Sequence, residues 1–287
     1  MKLLFINHWI HDKNKIAIKS YKNITEVSSI DDIHPMNLTE YDCVYSPSHP
    51  INVKQYPKMK FIFGPHFSVF PDYKIQHIEG SNSVYIQPSQ WAADVWINSG
   101  LCDNLTIKPM PFAVDTETFK EIYPLEERYK VFIYFKQRNS EELNYITNFL
   151  ISKNIEYHIF SYQDRYNQDD YIDYLHQSKY GIWLGRHESQ GFALEEALSC
   201  NVPLLVWDVT SMNQEVGQHY SDIPATAIPY WDERCGESFY NESQIEETFT
   251  LFLSKIETYQ PREYVLENLS IDICEQKLID IVNSITI

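Results

Sequence analysis

Two glutamates, Glu188 and Glu196, stand with seven residues between them in the stretch Gly185-Arg186-His187-Glu188-Ser189-Gln190-Gly191-Phe192-Ala193-Leu194-Glu195-Glu196-Ala197-Leu198. The stretch follows an apolar run and opens into helical spacing. In an open α/β sheet, ligands sit beyond the carboxyl ends of strands, where loops enter helices, so chemistry is expected here. Unpaired N–H groups around Ser189, Gln190 and Gly191 would face an anion, and the helix dipole would favour it. Gly191 lets the backbone come close. A carboxylate beside a phosphate is a poor phosphate ligand but a good acceptor for sugar hydroxyls. The periodicity puts Glu196 on a face with Phe192, makes Ala193, Leu194, Ala197 and Leu198 the packing side, and leaves Glu195 facing solvent.

The elements that must hold this stretch follow from the rhythm of the chain, in which short β-rich runs alternate with amphipathic ones, the pattern of βα units and a parallel sheet. Expected strands in the first part are Leu3–Asn7, Cys43–Ser46, Lys60–Gly64, Ser83–Gln87 and Thr106–Lys108. Ser89 is expected to cap a helix running to about Ser99, with Gly100 as its stop. Asp115–Glu127 reads as a linker. The second part is expected to hold strands at Lys130–Phe135, Glu156–Ser161, Tyr180–Leu184 and Pro203–Trp207. Its helices are expected near Ser140–Lys153, Asp170–Ser178 and Gly191–Cys200, with a polar loop at residues 162–168 and a helical tail from Glu242 onward. The expected division is residues 1–117, residues 118–264, and a C-terminal helix over 265–287 that could pack back on the first domain.

At 287 residues the chain is long enough for two modest domains. The net charge of −17 argues against nucleic acid as a partner, since phosphate backbones are held by Lys and Arg. That charge is uneven: residues 1–119 carry 10 Lys and Arg against 12 Asp and Glu, and residues 120–287 carry 13 against 28. No apolar run reaches the roughly 20 residues of a membrane span, and the N-terminus reads as a buried strand rather than a signal peptide, so cytoplasmic residence is expected. Five scattered cysteines without C-x-x-C spacing read as ordinary reduced thiols. His8 and His11 could pair on a metal only from a helix and with further ligands, so no metal is expected. No G-x-G-x-x-G and no P-loop follows any expected strand, which excludes the usual dinucleotide oxidoreductases and P-loop enzymes.

The order strand, Glu, seven residues, Glu, helix, then a Pro-Leu-Leu-Val strand resembles the E-x7-E segment of the retaining glycosyltransferase family 4. Pro88-Ser89-Gln90-Trp91 resembles that family's Ser-containing helix start, and Pro111–Phe119 its interdomain segment, with Ala113 where the family usually has Gly. Lys136-Gln137-Arg138 sits where the family places basic residues for the donor diphosphate. The resemblance covers residues 85–210 well and the first 80 poorly; Asn7-His8-Trp9-Ile10-His11 replaces the family's Gly-rich loop. It implies an α/β GT-B architecture, two Rossmann-like domains facing each other across a cleft, with a shortened N-terminal domain. It implies transfer of a sugar from a nucleotide-diphosphate sugar, such as a UDP- or GDP-sugar, to a hydroxyl of a glycan or small acceptor, with retention and without a further cofactor. In that reading Lys136 and Arg138 stabilise the leaving phosphate with Ser189, Gln190, Gly191 and Arg186. Glu188 accepts from the transferred sugar, Glu196 from the ribose, and His66 lies near the donor sugar. Two other readings share the architecture: a non-catalytic nucleotide-sugar-binding module or inactive subunit, and a sugar-nucleotide epimerase.

Overall fold

Strands buried on both faces read as continuous apolar runs, and Leu3–Ile6, Cys43–Ser46, Phe61–Phe63 and Ser83–Gln87 are buried at every position. In the computed structural model, which describes residues 1–29, 31–33, 36–164 and 166–287, these strands lie in one parallel sheet. The chain divides into unit 1, residues 1–113 and 269–287, and unit 2, residues 114–268.

Unit 1 runs β1 (Leu3–Ile6), α1 (Asp12–Lys19), β2 (Ile24–Val27), β3 (Cys43–Ser46), β4 (Phe61–Phe63), α2 (Ile75–Ile78), β5 (Ser83–Gln87), α3 (Gln90–Ile97) and β6 (Thr106–Pro109). Its six strands are ordered β2-β1-β3-β4-β5-β6. The sequence reading missed β2, whose four residues are only partly covered and so lack an apolar signature. It also missed α1, Asp-Lys-Asn-Lys-Ile-Ala-Ile-Lys, whose charges mask the buried Ala17 and Ile18. Ser89 stands at the N-cap of α3 as expected, but its side chain makes no capping bond, and its Oγ is buried with no hydrogen-bond partner.

Unit 2 runs β7 (Lys130–Lys136), α4 (Ser140–Ser152), β8 (His158–Ser161), α5 (Gln168–His176), β9 (Ser178–Gly185), α6 (Phe192–Ser199), β10 (Leu204–Trp207), β11 (Gly236–Phe239), α7 (Ile245–Ser254) and α8 (Pro261–Asn268). The strand order is β11-β10-β9-β7-β8, all parallel. One position of the expected polar loop, residue 165, lies outside the described residues. Val131, Ile133, Ile182, Leu184 and Leu205 form the centre of the core with Phe249 and Phe252 of α7. Each such side chain contributes roughly 1.5–3 kcal/mol by leaving water.

The last helix, α9 (Ile271–Ser284), belongs to unit 1. Lys60 donates through Nζ to the Val282 carbonyl at 2.9 Å, and the Glu275 carboxylate accepts from the Lys22 N–H at 2.7 Å. Lys60 is therefore engaged by α9. Among the described residues no helix is long and apolar enough to cross a membrane.

Candidate functional site

The carboxyl ends of β7, β9 and β10 in unit 2 carry the chemistry-bearing residues. β7 pairs with β9 in register up to Lys136 opposite Gly185, and the Arg186 N–H extends the ladder to the Lys136 carbonyl at 3.0 Å. Gly185 is required by contact: a Cβ there would meet Trp183 Nε1 at 2.6 Å. Past this point the loop is fastened again, because the Glu188 N–H donates to the Thr226 carbonyl at 3.0 Å.

That fastening places Glu188 against Lys136. Lys136 Nζ lies 2.6 Å from Glu188 Oε1, with the two side chains 12% and 13% exposed, and 4.5 Å from the centre of the Tyr162 ring. An ammonium held between a carboxylate and an aromatic face, at the end of a strand and next to a helix start, can neutralise a phosphate while the carboxylate accepts hydroxyls. Behind them Tyr134 stacks on Trp183 at 3.9 Å between centroids, and Tyr166 packs edge-on to Tyr134. Burial pushes the Tyr166 hydroxyl up to about 12, and the negative charges of Glu196 and Glu188 add to the rise. Both carboxylates thus act electrostatically on one phenol. The sequence reading put residues 162–168 in a featureless polar loop and missed these tyrosines.

The turn into α6 is set by conformation. Gly191 has φ +93°, a left-handed geometry that L side chains rarely adopt, while an added Cβ would meet nothing closer than 3.7 Å. Glycine is needed there for its backbone freedom rather than for close approach. Ser189 is exposed on the loop.

Three expectations change. Glu195 is not solvent-facing: it is fully buried, and Gln190 Nε2 donates to its two oxygens at 2.8 and 3.0 Å. Burial pushes its carboxyl up, and Glu196 and Glu188 push the same way. The helical wheel failed because α6 is covered on nearly every side. Gln190 is accordingly a brace between loop and helix, since its amide is turned onto Glu195 instead of toward a ligand. Arg138 also leaves the donor-binding set: its side chain is 1% exposed and its guanidinium is consumed by protein partners. Nε and Nη2 donate to Glu142 at 2.8 and 2.7 Å, and Nη1 donates to the Gly185 and Trp207 carbonyls at 3.1 and 2.8 Å. It ties together the ends of β7, β9 and β10. His66 lies in unit 1, in the turn after β4, half-buried, with burial first and His11 second bringing its imidazole down to about 4.

A polar layer beneath the loop was not foreseen. Arg186 Nη1 donates to the His187 carbonyl at 3.0 Å and to Glu215 Oε2 at 3.3 Å, leaving the side chain 26% exposed. His187 Nε2 lies 3.3 Å from the same Glu215 oxygen, and burial, then Arg186, bring this histidine down to about 4, so the imidazole is neutral. Asp208, at the end of β10, accepts from the Val209 and Ala227 N–H groups at 2.8 and 2.7 Å and from Thr226 Oγ1 at 2.8 Å. Because Thr226 also receives the Glu188 N–H, Asp208 sets the loop that sets Glu188. Acidic residues scattered among loops carry no periodic signal, which is why these supports escaped the sequence reading. Among the described residues no group of three or more His, Cys, Asp or Glu could hold a metal ion.

Two Rossmann-like units, each a parallel sheet interleaved with helices, define the GT-B fold, and this chain has it. Among solved structures it resembles the N-terminal domain of Candida albicans trehalose-6-phosphate phosphatase over 99% of its own length and 89% of that chain, at 11% identity and a TM-score of 0.56. It resembles TarM over 78% of its length and 50% of that chain, at 14% identity and 0.53. It resembles the GtfA/B complex over 81% and 54%, at 15% and 0.51. The chain thus spans about half the length of these two GT-B glycosyltransferases. No family model and no curated protein sequence matches the chain.

Proposed function

We propose that the chain is a glycosyltransferase that takes a sugar from a nucleoside diphosphate sugar held on unit 2 and passes it to a hydroxyl of a glycan or small acceptor with retention of configuration. The observation that carries the reading is the 2.6 Å pair of Lys136 and Glu188, a cation and a hydroxyl acceptor set side by side at the carboxyl edge of a parallel sheet. In this reading Lys136 stabilises negative charge as the C1–O bond to the diphosphate breaks, which is the main electrostatic demand of the step. The exposed Ser189 and the N–H groups around Gly191 hold phosphate oxygens, and the exposed part of Arg186 adds positive charge. Glu188 accepts from hydroxyls of the transferred sugar and Glu196 from the ribose. The acceptor oxygen bonds to C1 on the face that the phosphate leaves, and its proton passes to a phosphate oxygen. No protein nucleophile is required, so both glutamates act as binding groups, unlike the carboxylate pairs of glycoside hydrolysis.

The test is a calorimetric and thermal-shift screen of UDP, GDP, ADP and their sugar conjugates against wild type and Glu196→Ala. A ligand of the native state at 100 times its Kd raises stability by about 2.7 kcal/mol. The expected result is a shift selective for one base that Glu196→Ala abolishes, followed by transfer giving a product of unchanged anomeric configuration. No shift with any nucleotide overturns the proposal; binding without turnover in any acceptor screen overturns its catalytic part; isomerised donor without acceptor identifies an epimerase.

A further inference from the structure

The eight residues of α6 span about 12 Å, and so short a helix takes its position from whatever holds its ends. Its first end is set by Gly191 and by the Gln190 brace on Glu195. At its other end a helix leaves its last carbonyls without intrahelical partners, and here two arginines take them. Arg262 of α8 donates through Nη1 to the Ser199 carbonyl at 2.7 Å, and Arg128 donates through Nη1 to the Cys200 and Asn201 carbonyls at 3.1 and 3.0 Å. Both cations stand at the negative pole of the helix dipole, where positive charge is favourable. The same guanidiniums reach the segment by which the chain enters unit 2 from Val114 onward. Arg262 Nη1 and Nη2 donate to the Phe119 and Thr116 carbonyls at 3.0 and 3.1 Å, and Arg128 Nε donates to the Tyr123 carbonyl at 2.7 Å. Ser199 Oγ adds a bond to the Phe119 carbonyl at 2.5 Å. Residues 114–123 form neither helix nor strand, so their carbonyls have no ladder to join and the buried ones need partners of this kind. The two arginines are not equivalent. Arg128 also pairs with Glu121 at 2.9 Å with its side chain fully enclosed, which makes it part of the core of the fold. Arg262 is half-buried, and its side chain donates to neutral oxygens, bridging Thr116 and Phe119 to Ser199.

We infer that Arg262 is a positioning residue for Glu196: it fastens the entry segment 116–119 to the last turn of α6 and thereby fixes where the helix presents its carboxylate. Ser199 follows Glu196 by three residues, which puts the two on one face of the helix. The Cys200 N–H donates to the Glu196 carbonyl at 3.1 Å, so a shift at the fastened end carries directly to Glu196. A lysine at position 262 would keep the charge at the helix end but not the three-way bridge, because an ammonium lacks the planar fork that reaches carbonyls on two segments at once. The effect on ligand binding rests on the donor reading of Glu196, whereas the fastening itself does not.

The full chain is compared with Arg262→Met, Arg262→Lys and Phe249→Leu, the last a control for general loss of stability because its ring lies in the core of unit 2. Each is checked for an unchanged circular dichroism spectrum, and Arg262→Lys serves where Arg262→Met does not fold. Hydrogen exchange followed by mass spectrometry, without ligand and well below each midpoint, is expected to quicken at least about tenfold over residues 116–121 and 196–201 in Arg262→Met. It should quicken nearly as much in Arg262→Lys and show no selective change there in Phe249→Leu. The binding arm is a double-mutant cycle with Glu196→Ala, in which whichever of UDP, GDP and ADP binds wild type is titrated by calorimetry. Arg262→Met is expected to weaken that nucleotide about tenfold when Glu196 is present and less than about twofold when it is already alanine, whereas a merely structural loss would weaken both alike. Unchanged exchange in Arg262→Met, exchange like that of wild type in Arg262→Lys, or equal weakening in both backgrounds overturns the inference. If no nucleotide binds wild type, the proposed function fails while the exchange arm still decides whether Arg262 positions α6, so the two readings fail separately.

Discussion

Replacing Arg138 by methionine keeps most of the aliphatic stem and removes four hydrogen bonds at once: two to Glu142 and one each to the Gly185 and Trp207 carbonyls. The carbonyls are buried at the ends of β9 and β10 and gain no replacement partner. Breaking a buried charge pair from one side costs about 3–5 kcal/mol, and Glu142, one-fifth exposed, recovers some of that through solvent, so about 4 kcal/mol is expected. For a unit of this size each kcal/mol moves the midpoint by about 2–4 °C, giving a fall of about 8–16 °C for Arg138→Met in differential scanning calorimetry. Nucleotide affinity, measured well below that lowered midpoint, should fall far less for Arg138→Met than for Lys136→Met, because the Arg138 side chain is 1% exposed with four N–H groups already bonded, while Lys136 is 12% exposed. A variant that melts within about 2 °C of wild type yet binds nucleotide as poorly as Lys136→Met would refute the reasoning and return Arg138 to the donor site.

Gly191→Ala should lower stability by about 1–2 kcal/mol through its φ of +93° alone, since there is room for the methyl group; a urea midpoint equal to wild type would contradict this. His187 should make the protein acid-sensitive in a defined window. Its folded value of about 4 lies below the ordinary 6.5, so only the unfolded chain takes up the proton between these pH values, and stability falls as pH drops from 6.5 toward 4. The contribution amounts to about 3 kcal/mol. Glu195, Glu215 and Asp208 are shifted upward by burial and act in the opposite sense, so the measurement is the difference in unfolding free energy between wild type and His187→Gln. That difference should shrink by about 3 kcal/mol from pH 7 to pH 4, and a flat difference would refute the assignment.

The sequence made the sheet architecture legible because strands buried on both faces announce themselves as unbroken apolar runs, as at Leu3–Ile6 and Leu204–Trp207. It made the loop before α6 legible because Gly191 and the flanking polar residues interrupt such runs where a strand passes into a helix. It failed where burial has no periodic signature. Glu195 is an acidic residue on a helix and completely enclosed, and it is tolerated there through its raised carboxyl and through Gln190, five residues earlier, which donates to both its oxygens. Arg138 sits where the family resemblance places a diphosphate ligand, but four acceptor atoms brought together by two different strands and a helix had already claimed it. Such acceptors become neighbours only on folding, so no local spacing could have revealed them.

The link from Gln190 to Glu195 bears on how this site can diverge. Between Gly185 and Cys200 only Ser189 is exposed. The brace ties the loop to its own helix from within, so the shape of the turn is inherited with α6 and does not depend on what Ser189 presents to solvent. Substitutions at that one position can change what is contacted without renegotiating the backbone beneath it. In the proposed donor site a change at Ser189 alters the group presented to the ligand, whereas a change at Gln190 breaks the two bonds to Glu195.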